Sequence, residues 1–108
     1  MTYMDLVDKV RGVFENADAR KVLEHVAIQV NVTGEGEGIF YVEIAERHIC
    51  VEPYDYYDRD CLLIVPSSVV VELCEKKYTL KSAIAKGLVQ FYGDERKMNL
   101  CLAKVKVR

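Results

Sequence analysis

Few side chains in this sequence are of types that do chemistry, and their spacing limits what chemistry is open to them. The two histidines, His25 and His48, fall on polar-facing positions of alternating segments, with no cysteine or second histidine at ligand spacing. A metal centre needs several such donors to converge, so these read as surface histidines and no metal is expected. The four cysteines, Cys50, Cys61, Cys74 and Cys101, lie far apart in apolar surroundings and form no Cys-x-x-Cys pair. A catalytic thiol needs a nearby base and a lowered pKa. Cys61 sits mid-pattern on an apolar face and reads as an inert core thiol. No nucleophile can be paired with a base, so the chain is expected not to be an enzyme, and no cofactor is expected.

Two loops hold the remaining chemistry. In "GEGEG", Gly34 to Gly38, glycines of the kind that cradle phosphate are interleaved with Glu35 and Glu37. Those carboxylates would repel a phosphate and no helix follows, so the segment reads as a hairpin turn. "EPYDYYDRD" gathers Glu52, Asp55, Asp58 and Asp60 with Tyr54, Tyr56 and Tyr57. Clustered carboxylates bind cations or share acid–base work, but this spacing matches no ligand loop. A solvated loop is the expectation, with a mouth or lid over a cavity as the alternative. Asp60 is expected to anchor the loop into the strand that follows.

The chain of 108 residues suits one domain, 1–108. It is 51% hydrophobic and 30% charged, enough apolar content for a packed core. The net charge of -2 argues against a broad nucleic-acid surface, leaving Lys104, Lys106 and Arg108 as a local basic cluster. No apolar run approaches the ~20 residues a membrane span requires, and "MTYMDLVDKV" lacks the long apolar stretch of a signal peptide. The final "KVKVR" is not a peroxisomal Ser-Lys-Leu address. Buried free thiols in a reducing cytoplasm are the default for all four cysteines, so a cytoplasmic location is expected.

The elements that must position these residues follow from the apolar periods. Tyr3, Leu6, Val7, Val10, Val13 and Phe14 recur at helical spacing, with Thr2 as cap and Asp5 three residues on. Asn16 is expected to end that helix, and Asp18 to cap a short second one through Leu23. The period then falls to two: Val26, Ile28, Val30 and Val32 form one strand, and Phe40, Val42 and Ile44 the next, joined as a hairpin. His48 to Glu52 is a third strand, stopped by Pro53. "CLLIV" is a fourth, stopped by Pro66, after which Ser67 is expected to cap a helix carrying Val69, Val70, Leu73 and Cys74. Thr79 caps another helix, Gly87 ends it, and Leu88 to Tyr92 reads as a fifth strand, Val89 and Phe91 alternating with Leu88, Gln90 and Tyr92. Gly93 breaks that strand and Asp94 caps a last helix with Met98, Cys101, Leu102 and Val105 on one face. Its tail, "LAKVKVR", also alternates, but helix is expected to about Ala103. Meander strands beside helices make an α+β domain with one sheet face covered.

The segment from Asp60 to Asp94 resembles the sterol carrier protein type two family. "DCLLIV" is similar to that family's Asp-Cys followed by an alternating strand. "SAIAKGLVQFYGD" is similar to its helix–Gly–strand–Gly segment, with Ser82, Ala83, Gly87, Val89, Phe91 and Gly93 in the matching places. The sequence departs from the family where charged Glu95, Arg96 and Lys97 open the last helix and where no proline precedes Lys81. The resemblance implies a sterol-carrier-like fold: a five-stranded, mostly antiparallel sheet with helices packed on one face. Between them it implies an apolar cavity for a fatty acyl chain, sterol or similar lipid.

The residues expected to line that cavity are Phe14, Val26, Ile28, Val30, Phe40, Val42, Leu63, Leu73, Ile84, Phe91, Met98 and Leu102. Such a lining is indistinguishable in sequence from a filled core. The alternative function is therefore a non-catalytic structural or dimerisation module on the same fold. Its contact surface would be the opposite sheet face, where Ile39, Tyr41, Leu62, Ile64, Leu88 and Tyr92 leave apolar area exposed.

Overall fold

A computed structural model describes residues 1–107. The chain runs α1 (Tyr3–Phe14), β1 (Val26–Thr33), β2 (Gly38–Ala45), β3 (His48–Glu52), β4 (Cys61–Pro66), α2 (Ser67–Cys74), α3 (Leu80–Ala85), β5 (Gln90–Gly93) and α4 (Glu95–Lys104). The five strands form one sheet in the order β3-β2-β1-β4-β5. β1, β2 and β3 are an antiparallel meander, β4 lies parallel to β1, and β5 returns antiparallel to β4. The α+β expectation holds, with one parallel pair in a mostly antiparallel sheet. Among the described residues no helix is long and apolar enough to cross a membrane.

Period-two patterning becomes register. Ile28 pairs across to Val42 and Cys61, Val30 to Phe40 and Leu63, and Leu63 to Phe91. All of these point to the same sheet face, because paired residues share a face in a pleated sheet. That inner face meets the helices. α1 packs on β3 and α2, while α2 and α4 lie over β4. Arg11 fastens α1 to the sheet edge by donating from Nε to the Val51 carbonyl at 2.9 Å.

Local signals set the helix starts. Thr2 and Asp5 form a reciprocal capping box on α1. Thr79 Oγ1 accepts from Ser82 N at 3.1 Å, and Asp94 Oδ1 from Lys97 N at 3.0 Å. α2 differs from expectation. Its cap is Pro66, with φ fixed near -64°, and Ser67 is already the first helical residue. The expected helix from Asp18 to Leu23 is also absent. Asp18 instead forms a backbone bridge with Lys106, exchanging hydrogen bonds of 2.8 and 2.9 Å, so tertiary pairing overrides a weak local cap signal. The basic cluster expected at the C-terminus includes Arg108, which lies outside the described residues.

Two glycines are demanded by close approach. At Gly93, φ is +116°, and a side chain would strike the Asp60 carbonyl at the start of β4. At Gly38 a side chain would enter the Tyr3 ring, whose hydroxyl donates to the Ile39 carbonyl. The β2–β3 turn reverses in two residues, Glu46 and Arg47, at φ +51° and +69°. That geometry matches the strand twist, although neither residue is the usual Asn or Gly.

The strand order also dictates one long crossing. β3 is an edge strand, and β4 begins beyond β2 and β1. Residues 53–60 must therefore travel three strand spacings, about 14 Å. They do so over the outer sheet face, opposite the helices: Tyr56 N donates to Gln29 Oε1 at 3.0 Å, and the Tyr56 hydroxyl to Glu43 Oε2 at 2.7 Å. The solvated-loop expectation holds for Tyr54, Asp55, Tyr57, Asp58 and Arg59, which are exposed, while Tyr56 ties the segment to the sheet. The alternative of a lid over the cavity is corrected, because the loop crosses the face opposite the helices.

Candidate functional site

The twelve residues expected to line the interlayer all join one apolar cluster between sheet and helices. Val26, Ile28, Val30, Phe40, Val42, Leu63 and Met98 are buried, with Val26 at 0% and Phe40 at 2% exposure. Phe14, Leu73, Ile84, Phe91 and Leu102 are half-buried and pack against that cluster from α1, α2, α3, β5 and α4. The division is systematic. The sheet supplies most of the closed part, and the helices with edge strand β5 supply most of the part still in contact with water.

At the other end of the layer, where α1 and α2 begin, lies a hollow of about 180 Å³. Leu6 and Val71 form its apolar side, Ser67 and Ser68 its polar side, and Glu35 of the β1–β2 turn its rim. Sequence reasoning missed these residues. Only the turn's approach to the N-terminus brings them together, with Gly36 placed so that a side chain would lie 3.0 Å from the Met1 carbonyl.

The layer is closed at its β4 end by an ionic clasp. Asp60 Oδ2 accepts from Ala27 N, and Oδ1 from Lys97 Nζ, each at 2.9 Å. Lys97 Nζ also donates to the His25 carbonyl at 3.0 Å. Burial works to raise the Asp60 pKa, but Lys97 and the Ala27 N–H outweigh it and hold the carboxyl below its usual range. The Lys97 ammonium is held above its usual range by the Asp60 carboxylate. Asp60 thus has the anchoring role expected of it. Arg96, one of the charged residues opening α4, makes a two-pronged pair with Glu24, both contacts 2.7 Å.

The expectation of buried thiols holds for Cys61 and Cys101 but not for Cys50, which is exposed, or Cys74, which is half-buried. The two buried thiols are not poised for attack. Burial pushes Cys61 and Cys101 each up to about 11, and Cys61 Sγ donates to the Asp94 carbonyl at 3.4 Å. Protonated, enclosed thiols are poor nucleophiles.

On the outer face, His25 and Glu43 meet at 2.6 Å, and Tyr56 stands edge-on to Tyr41 with ring centres 5.0 Å apart. Gln29 beneath them is only 5% exposed. Of the apolar surface expected here, Ile39 and Tyr92 are exposed, and Tyr41, Leu62 and Ile64 are half-buried. Leu88 lies before β5, outside the paired register.

Several solved structures share this architecture. Sterol Carrier Protein 2 Like 2 from Aedes aegypti superposes with a TM-score of 0.68 at 16% identity, over 93% of each chain. Palmitated SCP2L2 from Aedes aegypti gives 0.69 at 16%, over 95% of this chain and 93% of that one. The UbiJ-SCP2 ubiquinone synthesis protein gives 0.61 at 21%, over 94% and 85%. At these identities the likeness establishes the fold. No curated protein sequence matches the chain. The sequence profile of the SCP-2 sterol transfer family matches residues 6–100, most of the chain, and the chain belongs to that family.

Proposed function

We propose that this domain binds and carries a lipid by enclosing its apolar tail between the helices and the inner sheet face. The observation that carries this reading is family membership across residues 6–100. A palmitated relative with the same fold supports a fatty acyl chain as the class of tail. Leu63, Phe91, Leu73, Ile84 and Leu102 are the residues that would touch it, with the deeper Val26, Ile28, Val30, Phe40, Val42 and Met98 as the floor and Phe14 at the margin. Desolvation supplies the affinity, about 0.8 kcal/mol for each methylene buried. No polar group has to recognise the chain.

The 180 Å³ hollow is small beside the roughly 300–1,000 Å³ typical of ligand pockets. Lipid uptake therefore requires the helical cover to move, and the half-buried set marks where it would part. α2 and α3 are short, 8 and 6 residues, and the turn between them holds Lys76 at φ +59°. Short helices of this kind depend on packing for their stability, so they are the elements that can shift at least cost. The free thiols suit a reducing compartment such as the cytoplasm.

Mass spectrometry of the protein under native conditions, with extraction of any co-purified lipid, tests the reading. A stoichiometric lipid, or a complex formed on adding fatty acid, is expected. Failure to bind fatty acids, acyl-CoA and sterols alike would leave the domain as a structural module. In that case the outer face at Ile39, Leu62, Ile64 and Tyr92 would be its contact surface, and light scattering would find a dimer.

A further inference from the structure

We propose a second binding site, on the sheet face opposite the helices, for a small quaternary ammonium cation. A hollow of about 610 Å³ opens there, lined by residues 54–58 with His25 and Tyr41. Four of the chain's seven tyrosines line it: Tyr41, Tyr54, Tyr56 and Tyr57. Tyr41 and Tyr56 meet at an interplanar angle of 83°, making two walls nearly at right angles. Tyr54 and Tyr57 are 63% and 92% exposed, so most of their ring surface takes no part in packing the protein. Aromatic faces arranged around a concavity attract a cation through the ring quadrupole, and most strongly one that is bulky and poorly hydrated.

The charges of the hollow agree with that occupant. Asp55 and Asp58 line it, and neither makes a hydrogen bond or ion pair within the described residues. The other carboxylates of the same segment are engaged elsewhere, Glu52 with Arg11 and Asp60 with Lys97. The basic side chains here are also engaged, His25 on the lining itself and Arg59 beside it. His25 Nε2 contacts Glu43 Oε2, and Arg59 Nη1 reaches Gln29 Oε1 and the Tyr56 carbonyl, each at 3.5 Å. An anion would meet the two free carboxylates. A divalent metal needs several oxygen or nitrogen ligands at close range, and no three such side chains converge among the described residues. A trimethylammonium group meets both requirements, rings on its flanks and carboxylates at its rim. The floor is firm, because the buried Gln29 amide and the Tyr56–Glu43 bond hold the segment down.

A trimethylammonium group reaches a protein either free or as part of a phosphocholine head group. The phosphate of the latter would face Asp55 and Asp58, so the geometry favours the free cation. The site lies across the sheet from the lipid interlayer, and its test does not depend on lipid carriage.

The test is an NMR titration of the whole labelled chain with choline, tetramethylammonium, phosphocholine and the neutral choline isostere 3,3-dimethylbutan-1-ol, at matched ionic strength. Choline and tetramethylammonium are expected to move the amide signals of residues 54–58 in a saturable way, with the isostere at least several-fold weaker. Tyr57→Ala, at a fully exposed position that leaves the fold alone, is expected to weaken choline about two- to five-fold. Asp55→Asn with Asp58→Asn is expected to weaken it further and reduce its salt dependence. Phosphocholine binding more tightly than choline would support the site while assigning it to a lipid head group. Equal shifts from the neutral isostere, no shifts from either cation, or an unchanged affinity in Tyr57→Ala would overturn the proposal.

Discussion

Lys97 Nζ stands 2.9 Å from Asp60 Oδ1, joining the first turn of α4 to the residue just before β4. Both side chains are about one-fifth exposed, at 20% and 21%. The same carboxylate caps the Ala27 N–H at the start of β1, while the Asp60 carbonyl accepts from Asp94 N, the cap of α4. One residue thus ties two parallel strands to the last helix.

Lys97→Met is expected to destabilise the fold by about 1.5–3 kcal/mol, the range for hydrogen bonds to charged groups. Urea denaturation measures it. The pH dependence has a definite sign. The Asp60 pKa is lowered in the fold, so its contribution is present above the unfolded carboxyl value and is lost as pH falls through the folded one. The Lys97 pKa is raised, so its share is present below the unfolded lysine value and is lost as pH rises through the folded one. Asp60→Asn should therefore cost most near neutrality and least in acid.

Gly87→Ala and Gly93→Ala separate backbone strain from collision. Both glycines have positive φ, +76° and +116°, but nothing lies within 4 Å of a side chain at Gly87. Its substitution is expected to cost about 1–2 kcal/mol, the left-handed penalty alone. Gly93→Ala adds a clash with the Asp60 backbone and is expected to cost clearly more. Equal midpoints for the two variants in denaturation would contradict this packing.

Gln29→Leu removes the acceptor that holds Tyr56 N at 3.0 Å. Leaving that donor unpaired is expected to cost about 1–3 kcal/mol and to loosen residues 53–60. Trypsin should then cut after Arg59 faster than in the parent, at a temperature where both remain folded.

Thiol labelling at mildly alkaline pH should divide the cysteines. Cys50 is exposed and should react readily, although burial and the neighbouring Glu43 raise its pKa somewhat. Cys61 and Cys101, buried and shifted to about 11, should react only as fast as the protein opens. Rapid labelling of all four in the folded protein would contradict the core assignment.

The sequence carried most of the fold because its signals were local. The Thr2–Asp5 box, the Thr79 and Asp94 caps and the Gly87 stop each depend on residues within one turn, and each stands where expected. Alternation gave the inner face, since Val30, Phe40 and Leu63 face the helices together. Misreadings arose where distant partners decide. Asp18 looks like a cap, but its backbone pairs with Lys106. Residues 53–60 are as solvated as their composition suggests, but the strand order, which no local signal carries, sends them across Gln29 and Glu43 on the outer face instead of over the cavity. The Asp60–Asp94 segment identified the family because close approach constrains it. Gly93 sits where its backbone crosses that of Asp60, leaving no room for a side chain.

The central claim is that a lipid tail occupies the space between the helices and the inner sheet face. Its most direct test is methyl-labelled NMR of the protein with palmitic acid, reading intermolecular contacts between the acyl chain and individual side chains. Contacts are predicted to Leu63, Leu73, Ile84 and Leu102. An acyl chain touching instead Ile39, Leu62 and Ile64 on the outer face, or no complex at all, would contradict it.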